Sequence, residues 1–126
     1  MARYLLDASF LIDHLRGVPA AVSRFQAMMD AGDAVIVSDV SAAEVWSGRA
    51  AEHPAIDALL HYLEFVQPGP ATSRLAGTWR ADARARGRTL DIPDALIAAS
   101  AFHLDAAVLT RNVRDFELTP VRVETY

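Results

Sequence analysis

Short unbroken apolar runs alternate along this chain with longer stretches whose apolar residues recur every three or four positions. "RYLLDAS" opens with a run too brief for a helix that ends at Asp7, and "AVIVSDVS" has the same shape, with β-branched residues at 35–37 before Ser38 and Asp39. A third such run, "AAVLTRN", lies near 106–110, "PVRVETY" alternates as an edge strand does, and "EFVQ" at 64–67 adds one more short strand. Between them the period turns helical: Phe10, Leu11 and Leu15, then Val22, Phe25, Met28 and Met29 behind Pro19. Ser41 and Glu44 form an S-x-x-E capping box predicted to open a helix that carries Val45 and Trp46 and loosens at Gly48. Further helices are predicted over 54–63, over 71–86 with Gly87 as the stop, and from within "LDIPDALIAAS" to about Leu104. Alternation of helices with fully apolar strands predicts an α/β fold, a central, mostly parallel sheet flanked by helices.

Composition narrows this picture. At 126 residues and 52% hydrophobic, with no repeat, low-complexity segment or linker, the chain is expected to form a single domain over 1–126. No window is long and apolar enough to span a membrane, and acids interrupt "MARYLLDASFLIDHL", so neither a membrane anchor nor a signal peptide is expected and the protein is placed in the cytoplasm. Cysteine is absent, so a metal would be held by oxygen or imidazole, which favours Mg²⁺ or Mn²⁺. The net charge is −4, yet all twelve basic residues are arginine and five fall between positions 74 and 88, so charge is segregated. The lack of lysine excludes Walker-type phosphate cradles and receiver domains that use one. "DAS" at positions 7–9 likewise lacks the D-x-D of dehalogenase-like phosphatases.

In open parallel sheets ligands sit beyond the carboxyl ends of the strands. Asp7 closes the first predicted strand, Asp39 the second with Glu44 beyond it, and "TRNVRDF" after the third offers Thr110, Asn112 and Asp115. Asp94 joins this edge if its helix starts near it. Each residue also has a purely structural reading. Asp7 or Ser9 can cap the first helix, Glu44 can close its capping box, and Asp91 and Asp94 can serve as N-cap and N3 around Pro93. Asp115 and Asn112 suit turns. Asp13, Asp30, Asp33 and Asp57 are expected to be solvated, and His14, His53, His61 and His103 show no metal-binding spacing. Trp46 and Trp79 lie on helical stripes facing a core or an interface.

Taken together, "LLDASFLID", "SAAEVWSG", "PDALIAA" and "LTRNVRDF", in this order and at these separations, resemble the PIN-domain ribonucleases, specifically the VapC toxins of bacterial toxin–antitoxin pairs. The resemblance runs from position 4 to about 123. It implies a PIN-like fold and a metal-dependent endoribonuclease in which Asp7, Glu44, Asp94 and Asp115 bind Mg²⁺ or Mn²⁺ and carry catalysis, with Ser9, Thr110 and Asn112 as supporting polar groups. Asp91 falls on no core acid of the family and is left as the helix cap. Water attacks in this family, so products would carry 5′-phosphate and 3′-hydroxyl ends. The resemblance further implies a homodimer silenced by a cognate VapB-type antitoxin. Because converging acids repel a polyanion, Arg84, Arg86 and Arg88 become candidates for an RNA-binding rim, with a solvated helix face as the equal alternative. A catalytically silent PIN domain serving as an RNA- or protein-binding module ranks below the enzyme, since all four acid positions are filled.

Overall fold

The computed structural model describes every residue of the chain except Arg49. The apolar runs become strands β1 (Arg3–Leu6), β2 (Ala34–Ser38), β3 (Glu64–Val66), β4 (Ala107–Leu109) and β5 (Val123–Glu124). They form one sheet in the order β3-β2-β1-β4-β5, and every pairing is parallel. Register explains why the central strands read as continuous apolar runs. Leu5 lies opposite Ile36 on one side and Val108 on the other, while Leu6 lies opposite Leu109. Adjacent residues therefore face opposite sides of the sheet, and both sides are covered.

Leu6, Val35, Val37 and Leu109 pack against Phe10 and Leu11 of α1 (Ala8–Leu15), Met28 of α2 (Pro19–Asp30), Val45 of α3 (Asp39–Trp46) and Ile56 of α4 (His53–His61). On the other face Leu5, Ile36 and Val108 meet Ile97, Ala98 and Ala101 of α6 (Ile92–Leu104). Helix α5 (Pro70–Ala85) lies outside α6, joined to it by the small buried side chains Ala76, Ala83, Ala95 and Ala99. Alanine at these positions lets the two helix backbones approach closely. Trp46 and Trp79 are half-buried against the core, as their helical phase implies. Among the described residues no helix is long and apolar enough to cross a membrane.

Two helix starts differ from the sequence reading. Helix α3 begins at Asp39, ahead of the supposed capping box, because Ser38 takes an extended backbone (φ −89°, ψ 156°) and its hydroxyl accepts the Ser41 amide at 3.3 Å. Ser41 is thus a first-turn residue whose own buried hydroxyl finds no partner among the described residues, and Glu44 is not a capping group at all. Helix α1 has Asp7 in the N-cap position, but neither Asp7 nor Ser9 caps it with a side chain. Those two side chains are engaged elsewhere.

The cap assignment predicts opposite outcomes for two serines. Ser38→Ala should lower stability by about 1 kcal/mol by freeing a first-turn amide. Ser41→Ala, which removes an unpartnered buried hydroxyl, should be neutral or stabilising by up to about 1 kcal/mol. Urea denaturation of the two variants measures this, and the reverse ranking would restore the capping box.

Candidate active site at the carboxyl edge of the sheet

Strand order reverses direction at β1, whose neighbours are β2 and β4, and the chain crosses from one face of the sheet to the other there. Such a switch point opens a crevice at the carboxyl edge. Asp7 stands in it. Its backbone N–H extends the β1–β4 ladder by donating to the Leu109 carbonyl at 3.0 Å, which leaves Asp7 beside Thr110. The carboxylate is buried, and one oxygen, Oδ2, accepts the Thr110 hydroxyl at 2.7 Å and the Ser9 hydroxyl at 3.0 Å. Those hydroxyls are oriented in turn. Ser9 Oγ receives the Arg111 amide at 3.1 Å and Thr110 Oγ1 receives the Asn112 amide at 2.9 Å. The lattice fixes the carboxylate and commits one oxygen, while Oδ1 has no hydrogen-bond partner among the described residues.

The other acids arrive from separate elements. Glu44 projects from α3, which follows β2 directly. Helix α6 starts at Ile92, so Asp94 lies in its first turn and at this edge, which meets the condition set by the sequence. Asp115 sits in the 3₁₀ turn Val113–Phe116 beyond β4. Their mutual influence shows the proximity. Burial first, then the charges of Asp115, Asp7, Asp91 and Glu44, push the Asp94 carboxyl up to about 7. Burial followed by Asp7 raises Glu44, and burial followed by Asp7 and Asp91 raises Asp115. Like charges gathered without a counterion disfavour ionisation in this way. As the side chains stand, no three His, Asp or Glu residues among those described converge tightly enough to form a ready-made ion cage.

Two further residues depart from expectation. Asp91 occupies the N-cap position of α6 but its side chain makes no capping bond, and its charge bears on Asp94 and Asp115 instead. Asp13, expected to be solvated, is only 5% exposed and holds Arg111 and Tyr126. Of the candidate rim arginines, Arg84 and Arg88 line a small cleft with Arg80, Thr89 and Leu90, and Arg86 follows the last residue of α5. A larger cleft of about 360 Å³ runs between α1, α3 and α4, with Ile12, Leu15, Val45 and Ile56 on its walls and Glu44 among its lining residues.

Residues 4–120 match the PIN domain family. The chain belongs to the PIN-domain family and groups with its VapC ribonucleases. Ribonuclease VapC19 of Mycobacterium tuberculosis is 32% identical over 117 residues, covering 92% of this chain and 94% of that protein. VapBC2 from Rickettsia felis, solved bound to a DNA fragment, contains a chain of the same fold, with a TM-score of 0.85 and 20% identity over 98% of each chain. A toxin–antitoxin complex from Klebsiella pneumoniae superposes with a TM-score of 0.78 and 25% identity, over 97% of this chain and 96% of that one.

The raised acids fix the sign of a pH effect. Between the ordinary carboxylate range and about 7, folded Asp94 keeps a proton that the unfolded chain has lost, so this contribution to stability is present at low pH and disappears as pH rises through that interval. Solvent screening of a half-exposed group holds the effect to roughly 1–2 kcal/mol. In chelator, thermal melts of the wild type minus those of Asp94→Asn should therefore favour the wild type less at about pH 8 than at about pH 5. A pH-independent difference would mean that burial and the neighbouring acids together do not raise the Asp94 carboxyl.

Proposed function

We propose that this chain is the toxin component of a type II toxin–antitoxin pair, an endoribonuclease that hydrolyses RNA phosphodiester bonds with water. The observation that carries this reading is the gathering of Asp7, Glu44, Asp94 and Asp115 at the switch point of the sheet, where burial first and then the neighbouring charges push Asp94 up to about 7. Holding such a group together is unfavourable in the bare protein and becomes favourable once a divalent cation is present. The donors fit Mg²⁺, or Mn²⁺, in chemical type, because all are carboxylate oxygens. Asp7 and Asp94 would hold it with Glu44 and Asp115 around them. A divalent cation there supplies Lewis acidity toward water and charge compensation for the phosphodiester.

The chain's own groups do the rest. Ser9 and Thr110 keep Asp7 in one orientation, with its free oxygen available to the site. The Asn112 amide, already tied to Thr110, steadies the loop that carries Asp115. Arg84 and Arg88, in the cleft that borders Leu90, are suited to track backbone phosphates on the approach to α6. The protein would act in the cytoplasm as a homodimer of single-domain chains. Its VapB-type antitoxin would lay an apolar segment along the cleft between α1, α3 and α4 and bring a basic side chain to the acids beside Glu44. A silent binding module is the reading favoured by the absence of a ready-made cage, but such a module would gain stability by losing acids that repel one another.

Incubation of total RNA with the protein and MgCl₂ tests this directly. Wild type should yield fragments with 5′-phosphate and 3′-hydroxyl ends, Asp7→Asn and Asp94→Asn should lose activity by about a hundredfold or more, and Arg84→Ala with Arg88→Ala should slow cleavage while Arg86→Ala does not. Intact RNA in every lane would leave the silent module.

A further inference from the structure

Four of the arginine pairs among the described residues involve carboxylates, and one differs in kind. Arg24 meets Glu124, Arg88 meets Glu117 and Arg122 meets Asp105, in each case a carboxylate whose side chain is 45% to 83% exposed. Arg111 instead meets Asp13, whose side chain is 8% exposed, at 2.5 Å. Surface pairs of the first kind contribute little and hold neither partner firmly. A buried carboxylate is different: it must be satisfied on both oxygens, and its partners are locked in consequence. Asp13 is so satisfied, Oδ1 by Arg111 Nη1 and Oδ2 by the Tyr126 hydroxyl at 2.6 Å. Tyr126 is itself fixed, its ring edge-on to buried Phe10 at 5.0 Å.

The cation held in this manner is not buried. The Arg111 side chain is 51% exposed, only Nη1 is used, and the remaining guanidinium N–H groups have no partner among the described residues. Its main chain is anchored too, since the Arg111 amide donates to Ser9 Oγ, which donates to Asp7 Oδ2. A half-free guanidinium thus stands two hydrogen bonds from the most buried acid of the site, at an edge where every other group discussed above is an acid or neutral. Carboxylates alone would repel the substrate's phosphates. Arginine offers a planar fork to a phosphate, and a fork whose orientation is already set loses less freedom on binding.

We propose that Arg111 is a phosphate-contacting residue of the substrate path, additional to the acids and to the α5 arginines, and that Asp13 and Tyr126 are the positioning residues that aim it. The inference rests on the ribonuclease reading and deepens it. The competing account is that Arg111 serves only to neutralise Asp13.

Equilibrium binding of a labelled mixed-sequence single-stranded RNA, followed against salt, and steady-state cleavage of the same RNA with MgCl₂ separate the two. Arg111→Ala should reduce the log–log salt slope by about 0.7 and raise KM about tenfold with little change in kcat, while Arg111→Lys should keep the slope and recover part of KM. Tyr126→Phe, which frees Asp13 from one partner but keeps every charge, should raise KM while leaving the slope alone. Arg122→Ala, at the opposite edge of the sheet, should alter neither. Should Arg111→Ala fail to fold, the double variant Asp13→Asn with Arg111→Ala removes the buried charge together with its cation and must show the same loss of slope. Wild-type slope and KM in the folded single or double variant would overturn the proposal alone. Failure of the wild type to bind or cleave RNA would overturn the ribonuclease reading and this inference with it.

Discussion

Parallel pairing of Leu6 with Leu109 is the contact on which the rest of the molecule turns. It sets β4 beside β1 although a hundred residues separate them, and it makes the next residues, Asp7 and Thr110, neighbours at the carboxyl edge. The 2.7 Å bond between them follows from that register, and a slip of one residue would turn Leu6 and Leu109 away from the α1 side of the core and break the bond. The hydrophobic core and the polar site are therefore specified by one alignment. Burial of Leu5, Leu6, Val108 and Leu109, all below 1% exposed, supplies the stability that the gathered acids withdraw.

That withdrawal is the functional point. Asp94 would ionise readily in an isolated peptide, yet burial and four neighbouring carboxylates hold it near neutrality. Under the proposed function a divalent cation would relieve that unfavourable electrostatic energy, so that affinity for the ion and instability of the bare fold would share one origin. Asp7 is tethered within this group by side-chain hydrogen bonds from Ser9 and Thr110.

Much of this was legible in the amino-acid sequence because its causes are local. Strands β1, β2 and β4 announce themselves by being apolar on both faces, and the chain leaves α5 through Gly87, two residues past its last turn, whose φ of +72° suits a residue without Cβ. The four acids could be picked out by their place after strands and at a helix start, and the family resemblance joined them. What escaped was set by distance or by phase. Asp13 looks like any helix-surface acid until Arg111 and Tyr126, 98 and 113 residues away, fold onto it. Ser38 and Ser41 are equally good caps on paper, and only the extended backbone at Ser38 decides between them. The arginines at 74–88 read as a single cluster, but the chain leaves the helix after Ala85 and turns at Gly87, so that Arg88 joins Arg80 and Arg84 in one cleft. Asp91 has the sequence of a cap and the surroundings of a fifth acid, since its charge reaches Asp94 and Asp115.

The central claim, that the acids are strained until a cation neutralises them, is read most directly from the titration of the Asp94 carboxyl carbon by NMR. In chelator its midpoint should lie near 7, and addition of MgCl₂ should bring it back to or below the ordinary carboxylate range. A midpoint already ordinary without metal, or one that MgCl₂ leaves unmoved, would contradict the account.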